Sequence, residues 1–233
     1  MVFRFLIVNS LAFLWCASLL LYRWQSSGST NFRFLIWNIF LAGLPLGAAF
    51  LLKWARRWSL ALPLLAFWLL FYPNAPYVIT DLIHLRVLPY LPIWFDVLMI
   101  GSFALVSLLY GLQSLDLVHD WLAQRLPHWF GWCFVTVALL LSGFGIYLGR
   151  FLRWNSWDIV KKPDGLMQDI SSRLLDLHGY ERTWGVTLGF AGLQFVAYLM
   201  WRFRLTRLRG LEGSMGLEGL ILRHQAQKVC TTR

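Results

Sequence analysis

Apolar residues run through this chain in long, nearly uncharged blocks separated by short clusters of charge, and that alternation predicts helices that cross a membrane. A hydrocarbon core asks for about 20 predominantly apolar residues per helix, with roughly 17 to 25 tolerated. Six blocks meet or approach that length: 3–22, 34–52, 59–72, 94–112, 129–148 and 184–201. The first has the look of a secretory leader, but no small-x-small cleavage site follows it and further apolar blocks do, so it is read as an uncleaved anchor. The second contains Asn38 and Pro45, a polar group and a missing backbone donor that neighbouring helices must satisfy. The third is short and meets Pro73 near the membrane surface.

The segments between these blocks differ in kind. Residues 73–93 are too apolar for a solvent loop and too charged and proline-punctuated for a relaxed span. A short helix lying in the interface fits them, with Asn74 as its cap, Pro76 in its first turn and Pro89 as its stop. On such a helix Asp81 and His84, three apart, share a face. Residues 150–183 form the longest loop: an Arg- and Trp-rich stretch in which Asp158 can pair with Arg150 or Arg153, an exposed turn at 161–165, and an amphipathic surface helix with Ile170, Leu174 and Leu177 as its stripe. Residues 206–233 are a basic, Gly-containing tail. The expected fold is therefore an all-α polytopic transmembrane bundle of about six spans with one or two short interfacial helices, occupying residues 1–205.

Composition sharpens this picture. With 58% apolar and 14% charged residues among 233, the chain cannot cover a water-soluble fold of its size. Its net charge of +10 is carried by clusters at the block ends, which is first a topology signal and not a nucleic-acid footprint. Lys53, Arg56 and Arg57, and then Arg202, Arg204, Arg207 and Arg209, sit tightly against spans. The positive-inside rule then places both termini in the cytoplasm of a cell-membrane protein. Most of the 14 tryptophans fall near block ends, where an amphipathic ring suits the headgroup layer, so membrane lipids are the expected surroundings. Cys16, Cys133 and Cys230 are too scattered for a disulfide framework or a metal knuckle. Asp116, His119 and Asp120 form a DxxHD group that reads as a solvated helix end, and Gly143, Gly145 and Gly149 suit close helix packing. No oligomeric state is signalled.

The segments PNAPYVITDLIHL (73–85) and GIYLGRFLRWNSWD (145–158), together with Trp37–Asn38 and Trp94–Phe95–Asp96, resemble the bacterial and cyanobacterial membrane family called domain of unknown function 1361. The likeness covers roughly residues 30–205. It implies a multi-pass membrane protein and supplies no reaction. Its characteristic positions, carried onto this chain, are Asn38, Pro73, Asn74, Pro76, Tyr77, Thr80, Asp81, His84, Asp96, Arg150, Arg153, Asn155 and Asp158.

Independently of any family, the six-span map puts Asn74, Tyr77, Asp81, His84, Asp96, Arg150, Arg153, Asn155 and Asp158 in one outward-facing interfacial layer. Charged groups at membrane depth are expensive unless paired or solvated, which makes that layer the candidate site. Asp81, His84 and Asp96 are its candidate catalytic residues, Asp81 orienting or sharing a proton with His84 and Asp96 adding a second carboxylate. Asn74, Tyr77, Arg150, Arg153, Asn155 and Asp158 are its candidate binding residues, the two arginines suited to clamp a phosphate. No cofactor is expected. A divalent metal on Asp81, His84, Asp96 and Asp158 is a variant. Three functions stay open: binding or handling of a lipid or small solute, a membrane-embedded hydrolase or transferase acting on a lipid-linked substrate, and a structural or assembly partner whose ion pairs only lock the helices.

Overall fold

The computed structural model describes residues 2–86, 90–175 and 180–204. Pro89, Leu177, His178 and the tail beyond 204 lie outside the described residues. Six helices are long and apolar enough to cross a membrane, and among the described residues there is no strand. The elements are α1 (Val2–Ser27), α2 (Phe34–Leu52), α3 (Trp58–Phe71), α4 (Asn74–Tyr77), a 3-10 turn (Val78–His84), α5 (Ile93–Ala123), α6 (His128–Phe151), α7 (Asp158–Lys161), α8 (Pro163–Leu175) and α9 (Glu181–Arg204). By compactness the chain divides into Met1–Gln194 and Phe195–Arg233, and the described part of the second unit is the end of α9.

Helices α2 and α5 are the most buried spans and pack mainly on each other, while α1 is the least buried. Their shared core joins Leu19 and Leu20 of α1, Leu35 and Ile39 of α2, Val78, and Met99, Ile100 and Phe103 of α5. The outward faces stay apolar, as in Leu11 and Leu14 of α1 and Leu60 and Leu62 of α3. In water such faces would be a liability; in hydrocarbon they are the solvated surface.

Two expected boundaries move. Helix α1 runs on to Ser27, carrying Arg23 inside it, and α5 runs to Ala123, eleven residues past the expected end at 112. Both extensions carry ionisable groups that the fold buries: Arg23 is 1% exposed, Asp116 6% and His119 1%. The DxxHD group is therefore packed helix and not a solvated end. The turn expected at 161–165 is also displaced, since α8 already begins at Pro163. Proline fits a first helical position because its missing donor has no partner there.

Helical geometry carries on past α3. Tyr72 and Pro73 keep right-handed helical angles into α4 and the 3-10 turn, so the apolar, helical run reaches His84. Pro73 and Pro76 each remove a backbone donor. Asn74, expected as a cap, instead donates its side-chain amide to the Phe71 carbonyl at 2.9 Å, and Ser156 Oγ donates to the Leu70 carbonyl at 3.2 Å. Glycines bring α6 against its neighbours. A Cβ on Gly143 would meet the Thr187 carbonyl of α9, and one on Gly145 would lie 2.8 Å from the Pro73 ring.

Candidate functional site

The proline-broken end of the third span, the start of α5 and the last turn of α6 all lie at one end of the bundle, and two buried ion pairs form there. The 3-10 turn packs on α5 and touches α2, which leaves Asp81 1% exposed. A carboxylate so placed is strongly disfavoured unless charge and hydrogen bonds compensate it. Arg150 Nη2, from α6, donates to Asp81 Oδ1, and Asn38 Nδ2, from α2, donates to Oδ2 at 2.6 Å. The same guanidinium donates through Nε to Thr80 Oγ1 at 2.7 Å and lies over the Tyr77 ring, 4.5 Å from its centre. Thr80 Oγ1 in turn donates a hydrogen bond to the Tyr77 carbonyl at 2.6 Å. One carboxylate thus ties α2, the third span and α6 together.

His84 stands farther from that carboxylate. Its Nδ1 lies 3.2 Å from the backbone carbonyl of Asp81 and 3.9 Å from Oδ1, beyond hydrogen-bond distance, and its ring packs on Phe34 with centres 4.8 Å apart. Of the expected Asp81–His84 pair, His84 stands 3.9 Å off, and the group hydrogen-bonded to the carboxylate is Arg150.

The second pair joins α1 to α5. Arg23 Nε donates to Asp96 Oδ1 at 2.7 Å and Nη2 to Oδ2 at 3.4 Å, with both side chains essentially fully buried. Arg23 was not among the sequence-predicted residues. The available signal was its place at the end of the first span, level with an aspartate at the start of the fourth. Asp96 is thereby committed to α1 and is not a second carboxylate for Asp81.

Beyond α6 the chain doubles back. Arg153 takes a left-handed conformation, φ 61°, and the Trp154 N–H returns to the Leu148 carbonyl at 3.1 Å. Asp158, expected to pair with Arg150 or Arg153, instead accepts from the Asn155 backbone N–H at 2.8 Å and from its side-chain amide at 3.3 Å. A partner three residues away needs no loop closure, so local geometry prevails over distant charge. Trp154 Nε1 donates to Asp169 Oδ2 at 2.8 Å, and Asp169 also holds Arg173 at 2.9 Å, which ties α8 to this reversal.

Between the reversal and the bundle lies a cavity of about 510 Å³. Its walls come from the start of α2, the end of α3, α4, the second half of α6, residues 154–157, Ile159 of α7, Leu166 and Ile170 of α8 and the first turns of α9. Leu69, Leu70, Leu140, Leu141, Phe144 and Leu148 make the apolar part; Asn38, Asn74, Tyr77, Asn155 and Ser156 make the polar part. Asn38 belongs to both features, since it lines the cavity and holds Asp81.

Of the sequence-predicted residues, Asn74, Tyr77 and Asn155 line this cavity, while Asp81, His84, Asp96, Arg150, Arg153 and Asp158 do not. The four groups considered for a metal are engaged separately, and the described residues contain no cluster of three or more such ligands.

The fold and this paired polar layer define a multi-pass α-helical membrane protein with a lateral cavity at one end of its bundle. The chain belongs to the family described as protein of unknown function (DUF1361), whose model matches residues 37–197 and so spans both ion-pair aspartates and the whole cavity. No curated protein and no solved structure matches it.

Proposed function

We propose that the protein binds a membrane lipid, taking part of the molecule into the cavity beside α6 at the end of the bundle that faces outward. The cavity's construction carries this reading. At about 510 Å³ it falls within the range of small-molecule sites, with a mostly apolar wall and a few polar groups. Leu140 and Leu141 line it from α6 and are themselves 39% and 47% exposed, so it opens on a hydrocarbon-facing flank of the helix. A lipid reaches such an opening sideways, and each methylene buried contributes about 0.8 kcal/mol relative to water.

The ion pairs are braces for the cavity. An enzyme using Asp81 or His84 on a lipid-linked substrate would need those groups at its wall, and neither lines it. The outward placement rests on the basic clusters beside the opposite helix ends, at Lys53, Arg56 and Arg57.

Reconstitution with a diacylglycerol carrying a diazirine on one acyl chain tests the proposal. Photolabelling mapped by peptide mass spectrometry is expected to concentrate on residues 140–148 and 69–74. The variant Leu141→Trp, at an exposed and tolerant position, is expected to remove most of it by filling the opening. Labelling spread evenly over exposed residues such as Leu11 and Leu14, and indifferent to Leu141→Trp, would sink it.

A further inference from the structure

We infer, resting on the lipid-binding proposal above, that the bound lipid carries an uncharged, hydroxyl-rich headgroup: a sugar on a glycerolipid and not a phosphodiester. The first observation is electrostatic. Among the described residues, no Asp, Glu, Lys, Arg or His side chain lines the cavity. The nearest buried or part-buried cations are committed to carboxylates, Arg150 to Asp81 and Arg173 to Asp169, and Arg153, next to the lining Trp154, is exposed and does not line the cavity. A phosphate entering here would leave water without a counter-charge, the arrangement that buried ions avoid.

The second observation concerns unmet hydrogen bonds. Trp184 and Thr187 line the cavity, and their Nε1 and Oγ1 have no hydrogen-bond partner, as is also true of Trp121 Nε1 and Trp201 Nε1 away from it. Both atoms lie just behind the wall, closed to water, so a ligand reaches them as the first turns of α9 adjust, and Thr187 is 2% exposed. Such orphans are uncommon in native proteins and call for an unseen partner. The indole offers a donor only, the threonine hydroxyl a donor and acceptors, and the carbonyl oxygens of Asn74 and Asn155 offer acceptors. Donors and acceptors together in one lining suit groups that both give and receive a hydrogen bond, and hydroxyls do so. A phosphodiester can only accept.

The third observation is the aromatic enclosure. Trp37, Trp154, Trp157 and Trp184 all contribute to the wall, Trp37 and Trp157 meeting edge to face with centres 6.1 Å apart. Indole faces are electron-rich and flat, and the C–H face of a sugar ring packs on them through many weak contacts. Asn155 and Ser156 sit between two of these tryptophans in sequence, so hydroxyl-binding groups and stacking faces arrive on one short segment.

The test presents three lipids with identical chains, monoglucosyl-dioleoylglycerol, dioleoylglycerol and dioleoyl-phosphatidylglycerol. Each is doped into micelles of a polyoxyethylene detergent, which has no sugar of its own, and bound lipid is counted by native mass spectrometry. The glucosyl lipid is expected to be retained about tenfold better than the phosphatidylglycerol, and its retention to fall about fivefold in each of Trp184→Phe and Thr187→Val. Thr187→Val keeps the shape and removes one polar group, and Trp184→Phe removes the N–H together with part of the ring, so either reads the loss if the other fails to fold. Equal retention of all three, abolished by Leu141→Trp, would overturn the headgroup assignment and leave the lipid site standing, as would preferred retention of the phosphatidylglycerol. Retention indifferent to Leu141→Trp would overturn both.

Discussion

Replacing Arg150 by methionine removes the cation from Asp81 while keeping much of the side chain's bulk against Tyr77. The carboxylate would then stay 1% exposed with Asn38 as its remaining partner at 2.6 Å. Truncating one member of a buried pair costs about 3–5 kcal/mol. Arg150 keeps 15% of its side-chain surface, so some water already reaches the pair and the lower end, about 3 kcal/mol, applies. Asp81→Asn retains an oxygen acceptor and should cost about 1–2 kcal/mol. The double variant should cost well below the sum, since neither desolvated charge is left alone, giving a coupling energy of about 2 kcal/mol. Reversible unfolding in mixed micelles, titrated with dodecyl sulfate and followed by tryptophan fluorescence, measures all three. Strict additivity, or a cost below about 1 kcal/mol for Arg150→Met, would refute the claim that this pair braces the third span against α6.

The Arg23–Asp96 pair is more deeply enclosed, so Arg23→Met should cost about 3–5 kcal/mol in the same titration, with much of the loss recovered in Arg23→Met/Asp96→Leu. Gly143→Ala places a methyl group against the Thr187 carbonyl and should cost about 1–3 kcal/mol, because the backbones of α6 and α9 must part. Arg153→Gly relieves a left-handed residue and should raise stability by up to about 1 kcal/mol while leaving lipid retention unchanged; a loss of retention would show that its guanidinium holds ligand. In a chain whose cysteines are replaced by serine, His84→Cys and Asn155→Cys should both react with an impermeant maleimide added to intact cells, and Gln124→Cys should not. Labelling of the first two from opposite sides would break the single polar layer.

The six spans could be read from sequence because hydrophobic thickness is a sum over some 20 residues, and no single contact changes it. Errors arose where a charge was taken as the end of a helix. Arg23, Asp116 and His119 all lie inside helices that continue past them, because the folded protein compensates what the isolated segment could not. The same physics governs which residues meet. Asp81, Arg150 and Asn38 were legible as members of one family pattern, but their pairing spans 69 and 43 residues and depends on helix rotation, which periodicity leaves undetermined. Asp158 had an arginine in prospect and took the amide three residues away, and that choice leaves Arg150 free to reach Asp81.

The cavity was the least legible feature, being a space between elements whose lining is ordinary residue by residue. Leucines read as span and tryptophans as interfacial belt, while Asn74 and Asn155 were singled out with the charged residues around them. What distinguishes the wall is an omission: the buried charges of this layer, Arg23 with Asp96 and Arg150 with Asp81, are spent on one another, and the amides, hydroxyls and indoles are what remain to face the space. In a layer where a lone ion is costly, satisfying the charges internally both stiffens the bundle and leaves a neutral polar wall. The bracing function and the headgroup preference therefore have one origin, and a variant that frees Arg150 from Asp81 should weaken the fold and admit anionic lipid together.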